Sequence, residues 1–438
     1  MKRDCYQQLL RWKNSPHRKP LILRGARQVG KTYLLKQFGQ QEFKNYCYVN
    51  LEEDPAVKTI FSQKLSPARI LSDLAIYSNQ PIKPRDTLII IDEIQECPRA
   101  LTSLKYFNEE AKEYSVIAAG SLLGVKLGKA SGFPVGKVNF MDLYPLSFFE
   151  FLTAMDEEKL RNSLEKKSEF EPISEPVHLK LIELLRLYFF IGGMPEVIKQ
   201  YLVEKDLLRA REVQQEILKA YLFDFSKHAD AVNIMKISKI WHAMPNQLAK
   251  ENKKFMYVEV DKQAKSREYE TALHWLIDAG LVYQTFNVKA PRQPLLSYID
   301  PKAFKLFLFD TGLLGCLSEL SPQIILEGDQ LFTEFKGALT ENFVAQELKA
   351  SGFPSLFYWA SANTAEVDFL LPLQNKILPL EVKAGTSTKK KSLMVYANKY
   401  QPPVLLRTSL MNFKQDEKIA NYPLYMVSCI PRLLQILS

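Results

Sequence analysis

The sequence predicts an α/β protein of several domains, led by a parallel-sheet domain that carries a phosphate-binding loop. Three observations predict it. Apolar runs rich in β-branched residues (LILR, YCYVNLE, TLIIIDE, YSVIAAGS) alternate with helical stretches. Such runs, unbroken by polar alternation, mark strands buried on both faces of a parallel sheet. The stretch Gly25-Ala26-Arg27-Gln28-Val29-Gly30-Lys31-Thr32 fits G-x-x-x-x-G-K-[ST] between LILR and TYLLKQF, and strand-loop-helix is the context this motif requires. Finally, 438 residues exceed the roughly 100–200 of one domain, so two to four domains are expected.

Composition narrows the class. With 47% apolar and 24% charged residues the chain is ordinary globular material, which excludes disordered, collagenous and low-complexity proteins. No run approaches the roughly 18 apolar residues of a membrane helix. The start, MKRDCYQQLLRWKNSPHRKP, lacks an apolar signal core, so a cytoplasmic location without a membrane partner is expected. Cys5, Cys47, Cys97, Cys316 and Cys429 are scattered without a C-x-x-C pair. Neither a zinc knuckle nor a disulfide framework is supported, which agrees with a reducing compartment. The net charge of +9 suits a polyanionic partner, although charge alone licenses only non-specific attraction and mild basicity is also an ordinary surface property.

Along the chain, residues 1 to about 16 read as an amphipathic helix with Tyr6, Leu9, Leu10 and Trp12 as its apolar contacts. The phosphate-loop domain is expected over 1–150. A helical lid or connector follows over 151–230, carrying the 3.6-residue period and broken at Gly192-Gly193-Met194-Pro195. Residues 231–325 give short helical patterns and then extended YQTFNV and LLSYI, the outline of a winged helix; a tri-helical packing unit without nucleic-acid duty fits equally. The last segment, 326–438, opens with a helical stretch over 333–352. It continues with LFYWAS, AEVDFLLP, KILPLEVKA, PPVLLRTS and PLYMVSCI as strands.

The phosphate loop is the sharpest chemical signal. Gly25 and Gly30 let the backbone N–H groups of Ala26, Arg27, Gln28, Val29 and Tyr33 curl around phosphate oxygens at the positive end of a helix. Lys31 would reach the β- and γ-phosphates of ATP and the Thr32 hydroxyl would ligate Mg2+. The bland alternative is a glycine turn with a chance GKT. Asp92, at the end of LIIID, would hold Mg2+ through water, and Glu93 would polarise the attacking water. Adjacent acids after a strand also cap helices. Ser121, at the end of IAAGS, would sense the γ-phosphate or serve as a helix cap.

A second constellation lies near the C-terminus. Asp368 sits in AEVDFLL and Glu381-Val382-Lys383 in LPLEVKAG, two strands joined by a polar turn. The period of two places Glu381 and Lys383 on one strand face. If Asp368 pairs across the hairpin, two carboxylates and an ammonium converge. Asp368 and Glu381 would then bind Mg2+ through oxygen, with Lys383 orienting water and Glu341, on the preceding helix, adding a contact. The D-x12-E-x-K spacing is loose, and a charged hairpin face gives the same pattern. Lys389-Lys390-Lys391 would touch a nucleic-acid backbone or form a solvated loop.

Taken together, GARQVGKT, IIIDEIQECP, AAGSLLG, FPVGKVNFMDLYPLSFFEFL, FFIGGMPEVI, FLFDTGLL, GALTENFVAQEL, EVDFLL and LEVKAG, in that order, resemble a family of prokaryotic AAA-type ATPases. Its members join an N-terminal ATPase to a C-terminal domain of unknown function with a restriction-endonuclease-like fold. The resemblance runs nearly end to end and departs at Lys137, where many relatives carry Arg. It implies ATP hydrolysis at Lys31, Thr32, Asp92 and Glu93. It also implies a PD-(D/E)xK-type core at Asp368, Glu381 and Lys383, with Glu341 on the leading helix. Two functions are then expected to compete. One is an ATPase acting on nucleic acid, DNA foremost, with a metal-dependent nuclease core and open to homo-oligomerisation. The other is a nucleotide-gated switch whose C-terminal domain binds without cutting.

Overall fold

In the computed structural model, which describes residues 1–121, 133–250, 253–262, 264–323, 337–361, 365–386 and 390–436, the four apolar runs of the N-terminal third are strands. They are β1 (Leu21–Arg24), β2 (Asn45–Asn50), β3 (Thr87–Asp92) and β4 (Ser115–Gly120). A fifth strand, β5 (Asn139–Asp142), was not legible as one. It is short and lies at the sheet edge with only Met141 buried, so it lacks the apolar run. The order is β2-β3-β4-β1-β5 and every pairing is parallel.

Parallel neighbours need crossovers. The helices Lys31–Glu42, Pro67–Tyr77 and Pro98–Glu110 supply them. All of β3 and β4 is buried, and one face packs Ile22, Val49, Ile89, Ile91, Val116 and Ala118 into a common core. Each large aliphatic side chain so buried contributes roughly 1.5–3 kcal/mol. The strand order matters for chemistry, because β4 lies between β1 and β3. The loop after β1, the acids after β3 and Ser121 after β4 therefore emerge side by side at the C-terminal edge, where open parallel sheets bind ligands.

The chain divides into two compact units, 1–144 with 278–280, and 145–277 with 281–438. The second begins helical. Phe148–Ala154 starts with a capping box, Ser147 accepting from the Glu150 N–H while the Glu150 carboxylate accepts from the Ser147 N–H. Helices Glu158–Lys166, Glu175–Ile191, Pro195–Glu204, Leu207–His228, Ala231–Ala249 and Ser266–Asp278 follow.

Two sheets complete the unit. Strands β6 (Val282–Val288) and β7 (Ile299–Leu308) form an antiparallel hairpin, of which YQTFNV was expected to be extended. LLSYI is not extended throughout, because Leu295–Tyr298 closes into a 3-10 turn after Pro294 and the second strand starts only at Ile299. That hairpin is no free wing, because β8 (Leu356–Ala360) pairs parallel with β6, and β9 (Glu366–Val367) pairs with β8. Strands from both sides of residue 325 thus share one sheet, of order β7-β6-β8-β9. The other sheet runs β10-β11-β12-β14-β13, with β10 (Phe369–Leu373), β11 (Lys376–Val382), β12 (Leu405–Ser409), β13 (Lys414–Asp416) and β14 (Ile419–Pro423). The polar turn between EVDFLL and LEVKAG is present, with Leu373 facing Lys376.

A buried polar network knits this unit. The Asp310 carboxylate accepts from the backbone N–H of Gly193 at 2.6 Å and of Leu313 at 2.9 Å. On the helix Ala338–Ala350, Gln346 accepts from the Thr311 N–H at 2.9 Å and donates to the Tyr188 hydroxyl at 2.8 Å. Tyr188 in turn donates to the Leu146 carbonyl at 2.5 Å. Asn342 bonds both backbone groups of Leu308, and Glu347 accepts from the Phe148 N–H. Buried backbone groups need such partners, and side chains of one late helix supply them to loops far back in the chain.

Candidate functional site

The phosphate loop is built by backbone geometry. Gly25 has φ +153°, and a Cβ there would meet the Leu143 carbonyl oxygen at 2.2 Å. Gln28 and Gly30 are left-handed (φ 63° and 95°), and Gly30 directly precedes the helix Lys31–Glu42. Val29 turns its side chain into the core, and its carbonyl accepts a buried hydrogen bond from the Arg3 guanidinium at 2.8 Å. Arg3 also donates to the Tyr144 carbonyl at 2.5 Å. The Lys31 ammonium, buried, donates to the carbonyls of Gly25 and Ala26 at 2.9 and 2.7 Å. Burial lowers the Lys31 pKa to about 8, against the pull of Glu93 and Asp92.

The acids sit where strand order places them. Thr32 Oγ1 donates to Asp92 Oδ2 at 2.6 Å, and the Tyr48 hydroxyl donates to the same oxygen at 3.2 Å. Asp92 Oδ1 accepts from the Glu93 N–H at 3.0 Å. Glu93 itself is left-handed (φ 49°), a sparsely populated conformation for a non-glycine residue that swings its side chain off the strand line. Its carboxylate accepts from the Gln95 amide and, at 3.5 Å, from the Ser121 hydroxyl. Arg27 donates to Ser121 at 3.4 Å and pairs with Glu52 at 3.4 Å.

Every N-terminal candidate therefore falls in one constellation. Gly25 to Thr32 form the loop and the start of the helix, Tyr33 lies in the first turn of that helix with its ring exposed, and Asp92, Glu93 and Ser121 line the facing edge. The donor set fits a nucleotide and Mg2+: a hydroxyl and a carboxylate lie within one hydrogen bond, beside an ammonium at a helix N-terminus. Lys137 is engaged by Glu109 at 2.9 Å. Sequence reasoning missed Arg3, Tyr48 and Gln95. Gln95 lies in the same DEIQ string as the acids, and alternation along β2 marks Tyr48 as facing opposite to Cys47 and Val49. Arg3 gives no signal, because its partners are backbone carbonyls remote in sequence.

In the second unit Asp368, Glu381, Lys383 and Glu341 also converge. Asp368, between β9 and β10, accepts from the Val382 N–H at 2.7 Å. Lys383 donates to Glu381 Oε1, as the shared strand face requires. Glu381 Oε2 is buried without a partner. Two unforeseen lysines enter as well. Lys253 pairs with Glu341 Oε1, and Lys305 reaches Glu341 at 3.4 Å, Glu366 at 2.5 Å and Asp368 at 4.0 Å. Burial and the nearby Glu341 push the Asp368 carboxyl well above its ordinary range. Burial also raises Glu381, against Lys383. Burial alone would raise Glu341, but Lys253 and Lys305 hold it low.

Among the described residues, no group of three or more His, Cys, Asp or Glu side chains is arranged to hold a metal ion. The orphaned Glu381 oxygen suits a cation. Most of the other oxygens are engaged, since both of Glu341 are bonded to ammonium groups and Asp368 Oδ2 holds a backbone N–H, while Asp368 Oδ1 has Lys305 at 4.0 Å. A divalent ion expected from the resemblance does not fit this arrangement. The signal for Lys305 was a lone lysine within AFKLFLF, since a charge inside a buried strand demands a partner.

Among the described residues no helix is long and apolar enough to cross a membrane. The five cysteines are free thiols, all buried. No curated protein matches the chain. Residues 17–152 match the family described as AAA domain, while 182–324 and 336–427 match two domains of unknown function, DUF8612 and DUF4143. Among solved structures, a Walker-type ATPase of Pyrococcus abyssi is 13% identical, with a TM-score of 0.47 over 72% of this chain and 95% of that one. Cdc6p of Pyrobaculum aerophilum is 13% identical, with a TM-score of 0.28 over 75% and 96%. The ORC2 protein of Aeropyrum pernix, in its ADP form, is 15% identical, with a TM-score of 0.32 over 74% and 92%. Sheet order, loop geometry and the family match over 17–152 agree: the N-terminal third of this chain is a P-loop ATPase domain of the AAA type.

Proposed function

We propose that the chain binds ATP with Mg2+ at Gly25–Thr32, hydrolyses it, and uses the nucleotide state to control a nucleic-acid contact made by its C-terminal part. The observation that carries the reading is the Thr32–Asp92 hydrogen bond of 2.6 Å beside the buried Lys31 ammonium. Lys31 supplies charge to the β- and γ-phosphates, and Thr32 and Asp92 hold the metal, which neutralises phosphate charge when bound. Glu93 polarises the attacking water, released for that task from Gln95 and Ser121. Ser121, bridging Arg27 and Glu93, reports the γ-phosphate. A duplex or single-stranded nucleic acid, DNA foremost, is supported by the net charge of +9.

The test is nucleotide turnover by the full chain. Lys31→Ala should abolish hydrolysis, a loss of several kcal/mol of transition-state stabilisation. Glu93→Gln should bind ATP and retain it unhydrolysed, read by filter retention of labelled nucleotide. Wild-type turnover in Lys31→Ala would overturn the site, and lack of retained nucleotide in Glu93→Gln would return Glu93 to a structural role.

A further inference from the structure

The Lys305 side chain has no solvent exposure, although it lies on β7 among residues that the chain spends on its core. An ammonium in such a place needs compensation from several carboxylates at once. It has them. Glu341 comes from the helix Ala338–Ala350, Glu366 from β9, and Asp368 from the junction of β9 and β10. The ring of Tyr358, on β8, lies 4.9 Å from the same nitrogen, and a π face adds to the hold on a cation. Lys253 covers the other oxygen of Glu341, and Lys383 covers Glu381. The cluster thus sets four carboxylates against three ammonium groups, each of the seven side chains arriving from its own position in the chain.

We propose that Lys305 occupies the place of a metal ion, so that the C-terminal carboxylate cluster is a metal-independent, lysine-closed core and does not cleave phosphodiesters. A dication entering the cluster would add two positive charges where ammonium already nearly balances carboxylate. It would also have to displace an ammonium whose side chain has no solvent exposure. Oxygen donors available to Mg2+ or Mn2+ are correspondingly few: Glu341 is bonded at both oxygens, Asp368 is held at Oδ2 by the Val382 N–H with Lys305 4.0 Å from Oδ1, and Glu381 shares one oxygen with Lys383. Hard dications take six or more oxygen ligands, and the cluster has a single unpartnered carboxylate oxygen, Glu381 Oε2, among the buried side-chain atoms described. The inference is independent of ATP hydrolysis and is tested without nucleotide.

The probe is Mn2+ alone, titrated into the full chain carrying Asp92→Asn, which removes the phosphate-loop carboxylate from the count. Free Mn2+ is read by electron paramagnetic resonance and stability by thermal melting. The expected result is no bound equivalent and no shift in melting that Glu381→Gln removes. Adding Lys305→Met should create a site and tighten Mn2+ binding at least tenfold. A bound Mn2+ equivalent lost on Glu381→Gln would overturn the proposal, as would a folded Lys305→Met variant that gains no affinity. Should Lys305→Met fail to fold, the comparison with and without Glu381→Gln still decides it.

Discussion

At the scale of single residues, Lys31 makes the clearest physical demand. Its amine is buried on two loop carbonyls, and burial brings its pKa down to about 8, while an unfolded lysine titrates near 10.4. Between those values the unfolded chain holds a proton the folded one has released, so this group's share of stability rises with pH across the window. Nucleotide binding responds the other way, because phosphate oxygens want the ammonium. We expect the Kd for ATP to weaken about tenfold per pH unit above 8, measured by calorimetry between pH 7 and 9, and to lose that slope in Lys31→Ala. A flat profile in the wild type would show that the proton is not required. The residues of this loop were readable because spacing alone fixes their geometry. Lys305 showed only as a lone lysine in an apolar run, with nothing local to name its partners, and Lys253 not at all, since its ion pair joins segments far apart in the chain.

At the scale of elements, the parallel sheet was legible for a thermodynamic reason: strands covered on both faces must be apolar throughout, as LIIID is. The edge strand Asn139–Asp142 escapes that demand and so escaped notice. Of the hairpin β6–β7 only the first run, YQTFNV, was legible, since LLSY forms a 3-10 turn and the second strand follows it. The parallel partner β8 lies more than sixty residues on and could not be paired by pattern. The break at Gly192 shows what a glycine there does. Its φ is +76°, and a Cβ would meet Asp310 Oδ1 at 2.3 Å and the Gly312 nitrogen at 2.8 Å. Gly192→Ala should therefore cost about 2–4 kcal/mol, read as a lower urea midpoint with unchanged slope. A change within about 0.5 kcal/mol, the range of surface substitutions, would mean that the Asp310 loop yields freely.

For the whole molecule, net charge makes a prediction that no single site does. If the +9 balance serves a nucleic acid, affinity for a duplex should fall steeply between 50 and 200 mM salt, each neutralised phosphate adding about −0.9 to the log–log slope. Fluorescence anisotropy with labelled DNA would read it, and a slope near zero would remove the polyanion from the proposed function. The motif order along the chain was visible in sequence, whereas its reason was not: Gly193, Asp310, Gln346 and Tyr188 meet only in three dimensions.

That network also sets an order on biosynthesis. The N-terminal sheet draws all five of its strands from residues before 145, so it can close while the rest is still being made. Residues 145–325 cannot finish, because their loops wait for Asn342, Gln346 and Glu347, and β6 waits for β8. A polypeptide ending at 325 should leave its N-terminal third resistant to protease and its remainder cut. Extending translation past the helix Ala338–Ala350 and the strands that follow should convert the remainder to resistance in one step. Nascent chains would thus pass through a long interval in which a nucleotide-binding sheet trails an unfinished body, the stage at which aggregation and chaperone capture would compete with completion.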